Sequence, residues 1–246
     1  MRRAAVFILC TGAALLPFAP AASAIGKGGW DHVGLGANGV PSLNGLVRAL
    51  STDRPGTLLV GGEFTSAGGN TAAARIASWN GTSWSALAGP GILNGAVFAI
   101  ASKDGRVYAG GSFVNAGGNA NADYLAVWDG VGWAPFCNSS GPAFAGNVHA
   151  LEIIGNTLYV GGSFQNAAGI PSADYLVACD LATGAAAALV APDRSINGPV
   201  YALAADSVGT LYVGGGFSNL NGIEHGASAG VQQTHLLSGR LHCSGT

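Results

Sequence analysis

The chain has little charge of either sign. Asp, Glu, Lys and Arg make up 9% of its 246 residues, Lys27 and Lys103 are its two lysines, and the formal net charge is −2. A basic stripe able to follow a phosphate backbone is therefore excluded, and no nucleic-acid partner is expected. Sustained helical periodicity is missing as well, which removes helical bundles and helical solenoids. After the N-terminus no apolar run reaches the roughly 20 residues that a membrane-spanning helix needs, so no integral membrane span is expected. No Cys-x-x-Cys, no His-Glu-x-x-His and no Ser-His-Asp order occurs, so the common zinc and nucleophile signatures have no foothold. What the chain has in abundance is glycine, 41 residues of it. Gly, Ala, Asn and Ser at low charge indicate a turn-rich β protein rather than a disordered one.

The first 24 residues, MRRAAVFILCTGAALLPFAPAASA, combine a basic head (Arg2, Arg3), an apolar body (Ala4 to Leu16) and a small-x-small site at Ala22-Ser23-Ala24. That is the pattern of a secretory signal peptide cut after Ala24. Removing it leaves 222 residues and a formal charge of −4, enough chain for one all-β domain with a sizeable core. The expected location is secreted, extracellular or periplasmic. Of the four cysteines, Cys10 leaves with the signal, and Cys137, Cys179 and Cys243 remain. An odd number in an oxidising compartment allows one disulfide and one free thiol, and spacing alone does not choose the pair.

The dominant signal is internal repetition. "TLLVGGEF" (57–64), "RVYAGGSF" (106–113), "TLYVGGSF" (157–164) and "TLYVGGGF" (210–217) place Phe64, Phe113, Phe164 and Phe217 at separations of 49, 51 and 53 residues. Each is preceded by a short apolar segment: "VRAL" (47–50), "VFAI" (97–100), "VHAL" (148–151) and "VYAL" (200–203). Trp79, Trp128 and Cys179 each follow the phenylalanine of their unit by 15 residues. Four strands per unit are predicted: Val-x-Ala-Leu, Leu-Tyr-Val-Gly-Gly-x-Phe, Tyr-Leu-x-x-Trp, and a fourth near the second Trp (Trp84, Trp133). Asn80-Gly81, Asp104-Gly105 and Asp129-Gly130 supply the turns between them. Units of about 50 residues with four antiparallel strands match propeller blades.

The glycine pair after an apolar strand, the aromatic, and the second Trp five residues on (Trp79/Trp84, Trp128/Trp133) resemble the kelch repeat of β-propellers. The fuller string is similar to the repeats of the fungal cortical-marker-of-cell-polarity family and to the delta-sixty repeats of bacterial surface proteins. The resemblance covers roughly residues 30 to 225. It implies an all-β β-propeller of four-stranded antiparallel blades, about four of them, and no particular activity, since one propeller scaffold hosts many functions. The expected organisation is a signal at 1–24 and propeller repeats over 25–225. Within these, units fall near 47–96, 97–147, 148–199 and 200–225 (partial), with a half unit at 30–46 that opens on Trp30. A divergent tail, 226–246, follows, where position 232 is Gln instead of the aromatic the spacing requires. The abrupt loss after "NLNGIEH" (219–225) implies a longer propeller cut short by truncation or frameshift. Divergence of a terminal capping unit is the alternative.

Candidate chemistry weighs against catalysis. "GGEF" at Gly61 to Phe64 matches a diguanylate-cyclase signature in letters only, because Ser112, Ser163 and Gly216 replace Glu63 in the sister units. Phosphate cradles need a following helix N-terminus and usually a lysine, neither of which accompanies a glycine pair here. His149 sits at the variable place of Val-x-Ala-Leu, where Arg48, Phe98 and Tyr201 stand in the sister units, a tolerance unlike that of a metal ligand. His32, His225, His235 and His242 form no recognisable ligand set. Asp123 and Asp174 align, as do Asp129 and Asp180 with Asn80, and turn capping explains them better than calcium, which takes six to eight oxygens. Asn80 and Asn138 are formal glycosylation acceptors. No catalytic, cofactor-binding or metal residues are assigned, and no cofactor is expected. The expected function is a non-catalytic secreted or cell-surface propeller that binds a protein or glycan through one loop face. A carbohydrate-active or oxidase-like enzyme on the same scaffold and a structural or degenerate repeat protein are the alternatives. In every unit the glycine pair is expected to sit where backbones crowd or bulge, leaving no room for a Cβ.

Overall fold

The computed structural model describes residues 42–52, 56–87, 93–137, 144–189 and 196–220, together with the strand segments 223–224, 234–237 and 240–243. Every described residue belongs to one compact unit, Gly34–Thr246. The signal peptide at 1–24, Trp30 with most of the half unit at 30–46, His32, Asn138 and His225 lie outside the described residues.

The described part is built of antiparallel meanders. β1 (Val47–Thr52), β2 (Leu58–Gly62), β3 (Ile76–Trp79) and β4 (Trp84–Ala86) form one four-stranded sheet in chain order. β5 (Val97–Lys103), β6 (Arg106–Gly111), β7 (Leu125–Trp128) and β8 (Trp133–Pro135) form the next. β9 (Val148–Ile154), β10 (Thr157–Gly162), β11 (Leu176–Asp180) and β12 (Ala186–Ala188) form the third. A fourth begins with β13 (Val200–Ala205) and β14 (Leu211–Gly215). Two short hairpins follow: β15 (Asn219–Leu220) with β16 (Ile223–Glu224), and β17 (Thr234–Leu237) with β18 (Arg240–Cys243). β1 adjoins β5, β5 adjoins β9 and β9 adjoins β13, so each meander packs its first strand on the first strand of the next. This is the β-propeller that the repeat predicted, with each meander a blade. Among the described residues the only helices are three-residue 3-10 turns, and no helix is long and apolar enough to cross a membrane.

The turns show why these residues make these strands. Asp104 and Gly105 take positive φ (53° and 78°) between the paired Lys103 and Arg106, the backbone a two-residue hairpin demands. Asn80, Asp129 and Asp180 each accept two backbone N–H bonds from the residues two and three positions on, closing the third-to-fourth strand turns. Asp123 and Asp174 likewise cap the backbone N–H of Asn115 and Asn166. The aligned acids are thus turn-closing groups.

The core lies between blades. Phe64, Phe113 and Phe164 are fully buried, as are Val97, Val148 and Val200 at the head of successive first strands. The first blade breaks this pattern, because Val47 is 45% exposed and Leu50 62%, while Ile100 and Leu151 at the positions matching Leu50 are 8% exposed. The cross-strand pairs Trp79/Trp84 and Trp128/Trp133, with ring centroids 5.2 and 5.8 Å apart, close the outer hairpins of the first two blades. In the third blade Cys179 takes the tryptophan's place and forms a disulfide with Cys137 of the second blade, Cα atoms 5.5 Å apart. Among Cys137, Cys179 and Cys243, this is the pair that forms.

Candidate functional site

The repeated glycines lead directly to the site. In every described blade the pairing of the first two strands slips by one residue at the same point. Val47 pairs with Gly62 and Ala49 with Gly61, which leaves Arg48 as an extra, bulged residue. Phe98, His149 and Tyr201 occupy the same place opposite Gly110-Gly111, Gly161-Gly162 and Gly214-Gly215. A β-bulge of this kind redirects the side chain of its extra residue. The residue that varies in Val-x-Ala-Leu is therefore the one the bulge displays.

Each glycine of the pair has its own steric reason. A Cβ on the first would lie 2.6 Å from Val97 Cγ1 at Gly61, 2.4 Å from Val148 Cγ1 at Gly110 and 2.5 Å from Val200 Cγ1 at Gly161. The next blade's first strand fills that space. A Cβ on the second would lie 2.0 to 2.2 Å from the carbonyl oxygen of Leu46, Ala96, Asn147 or Pro199. Those same oxygens accept the backbone N–H of Glu63, Ser112, Ser163 and Gly216, at 2.8 to 3.0 Å. So the second glycine admits the hydrogen bond that fixes the bulge. A third set, Gly45, Gly95, Gly146 and Gly198, meets the backbone around the conserved phenylalanine position at 2.6 to 2.7 Å, a close approach not anticipated from sequence.

The four bulged side chains form a row from blade to blade. The Phe98 and His149 rings stack with centroids 5.6 Å apart and planes 23° apart. His149 then meets Tyr201 edge-on at 5.4 Å. Arg48, His149 and Tyr201 also lie over the residue that follows the glycine pair of their blade. Arg48 donates from Nε and Nη2 to Glu63 Oε1, at 2.9 and 2.6 Å. His149 Nε2 and Ser163 Oγ are 3.3 Å apart. A Cβ at Gly216 would lie 3.4 Å from Tyr201 Cε2, so the largest bulged side chain covers the smallest partner. In the first and fourth blades the letter after the glycine pair, Glu63 or Gly216, thus suits the side chain above it.

The row is polar and charged at its Arg48 end and aromatic at its Tyr201 end. Tyr201 is 57% exposed. Burial holds the His149 imidazole below its ordinary pKa, favouring the neutral ring that stacks on Phe98. The Arg48–Glu63 pair is exposed, with side-chain accessibilities of 48% and 37%, and such pairs contribute at most about 1 kcal/mol to stability. Among the described residues no three His, Cys, Asp or Glu side chains converge as a metal group would require.

His149 is the only residue of the row whose chemistry stood out in the sequence. Its variability pointed away from a metal, but the same column carried the signal for the row: one freely varying position between the repeated Val and Ala of each first strand.

No family model matches the chain. No curated protein matches it either. Among solved structures, the chain is similar to the extracellular domain of BT4673 from B. thetaiotaomicron, described as a one-component system. Identity is 15% over 87% of this chain and 23% of that one, with a TM-score of 0.51. The computationally designed Ika4 protein matches at 18% identity over 76% of this chain and 92% of that one, with a TM-score of 0.43. The extracellular domain of BT3049 from the same bacterium, a hybrid two-component system, matches at 12% over 82% and 25%, with a TM-score of 0.48. The chain spans about a quarter of the length of these two extracellular domains. At such identities the likeness bears on fold alone, and only the first of the three reaches a TM-score that supports it.

Proposed function

We propose that this chain is a non-catalytic extracellular β-propeller module of the kelch-like surface type, and that it binds a protein or glycan ligand along the row Arg48–Phe98–His149–Tyr201. One observation carries the reading. The freely varying residue between the repeated Val and Ala of each first strand is bulged out at the same register in four successive blades, and the aromatic members touch in sequence. Variation concentrated on displayed side chains, over a backbone fixed by glycine, suits a scaffold that changes ligands without changing fold. Tyr and Arg are the residues most often found to dominate binding energy, and covering an exposed ring such as Tyr201 yields roughly 1.5–3 kcal/mol. The disulfide fits an oxidising compartment, as does the leader-like N-terminal sequence.

The test is a glycan and protein binding array probed with the mature chain, with and without chelator. Saturable, chelator-insensitive binding to a defined ligand set supports the module. Turnover of a carbohydrate that chelator abolishes overturns it in favour of a propeller enzyme.

A further inference from the structure

The junctions between successive blades share one construction. The Val and the Leu or Ile of an incoming first strand fill the space over the first glycine of the preceding blade. Val97 and Ile100 do so over Gly61, Val148 and Leu151 over Gly110, and Val200 and Leu203 over Gly161. Each of those glycines pairs across the sheet with an alanine of its own first strand, Ala49, Ala99 or Ala150, which shares its face. Ala99 and Ala150 are buried there, and the incoming valines are fully buried. Every junction thus joins an incoming Val/Leu face to a receiving Ala/Gly face.

Among the described residues, one half of this junction is left over at each side of the run of blades. On β1 the incoming face, Val47 and Leu50, is exposed, as is Leu46 before it. On β13 the receiving alanine, Ala202, pairs with Gly214 in the same register, and it is exposed together with Ala204. Ala99, Ala101 and Ala150 at the matching places are buried. The hairpin of β17 and β18 adjoins β14, and Ala202 and Ala204 stay exposed beside it. The bulged residues beside the two faces are Arg48 and Tyr201, so joining the faces sets a cation next to a ring. Two faces that fit each other and not themselves make a head-to-tail contact, which closes into a ring or runs on as a filament. Two copies bring about eight first strands, the top of the usual propeller range, whereas three exceed it.

We infer that the Val47/Leu50 face of one copy docks on the Ala202/Ala204 face of a second, and that two copies close one ring through two such junctions. The contact continues the blade junction that the chain already forms three times within itself. Once the first junction forms, the second is intramolecular and is favoured by its high effective concentration. The inference rests on the blade junctions and not on the function proposed for the bulged row.

Sedimentation velocity on the mature chain, at about 1 to 100 μM, tests it. A dimer is expected. Leu50→Asp puts a charge in the incoming face and Ala202→Arg fills the receiving one, and each should weaken the dimer at least ~10-fold. Both positions are exposed, so the variants retain the fold, and circular dichroism checks that directly. Mixing the two variants restores one intact junction and should give more dimer than either variant alone. A native chain that stays monomeric, or a dimer unchanged in Leu50→Asp, overturns the inference. Loss of the dimer in Leu50→Asp but not in folded Ala202→Arg overturns it in favour of two β1 faces meeting each other. A mixture that dimerises no better than the single variants overturns the head-to-tail pairing, and masses that climb past the dimer overturn the closed ring.

Discussion

At the scale of single residues, the two glycines of each pair are required for different reasons, and substitutions separate them from glycines that serve only a turn. Gly162→Ala places a Cβ 2.2 Å from the Asn147 oxygen that holds Ser163 N–H. Overpacking together with the threatened hydrogen bond is expected to cost about 3 kcal/mol in chemical denaturation. Gly132 has open space within 4 Å and no positive φ, so Gly132→Ala is expected to be neutral or to stabilise by up to about 0.5 kcal/mol. Equal losses at the two positions contradict the steric account. His149 gives a pH prediction. Its folded-state pKa is depressed by burial, so the unfolded chain binds the proton more readily. Stability is therefore highest above the unfolded value near 6.5 and falls as pH drops from there toward the lower folded value. Melting curves between pH 7.5 and 5 should show that loss in the native chain. The part due to this ring should vanish in His149→Phe, which carries the side chain of the preceding blade.

At the scale of elements, the first strand is a natural comparison within one molecule. Leu50 and Ile100 hold the same repeat position, at 62% and 8% exposure. In the dissociated chain, Leu50→Asp is expected to change stability by no more than about 0.5 kcal/mol, and Ile100→Asp to cost about 4 kcal/mol or prevent folding. Similar effects in both would mean that β1 is covered in solution by something that buries it. The disulfide acts at the same scale. Reducing Cys137–Cys179, 42 residues apart, removes a chain-entropy term of about 4 kcal/mol, so the reduced chain should unfold at clearly lower denaturant. Much of this level was legible in the sequence, because repetition averages out local ambiguity: four copies of Val-x-Ala-Leu and Gly-Gly-x-Phe fix strand order and turn positions together. A bulge at the glycine pair was anticipated as one possibility, but that the extra residue lies on the facing strand was not legible. A bulged residue has no cross-strand partner of its own, so its position carries no hydrophobic period, and in letters it is indistinguishable from tolerance. The choice of Cys137 as the partner of Cys179 was equally hidden, since it depends on which blade edges meet.

At the scale of the whole molecule, a fixed backbone device, glycine pair plus bulge, is repeated from blade to blade, and the displayed side chain changes each time. The architecture was written in the repeat, but the row of Arg48, Phe98, His149 and Tyr201 was not, because its members lie about 50 residues apart in the chain and meet only when first strands pack side by side. Display on the row is the central claim. The measurement that tests it most directly compares the native chain with the Phe98→Ala/Tyr201→Ala double variant on the same glycan and protein array, with Tm recorded for both. The account predicts that the native chain's ligands bind the folded variant at least ~10-fold more weakly, because two aromatic contacts are lost. A folded variant that keeps the same ligands at the same affinity contradicts it.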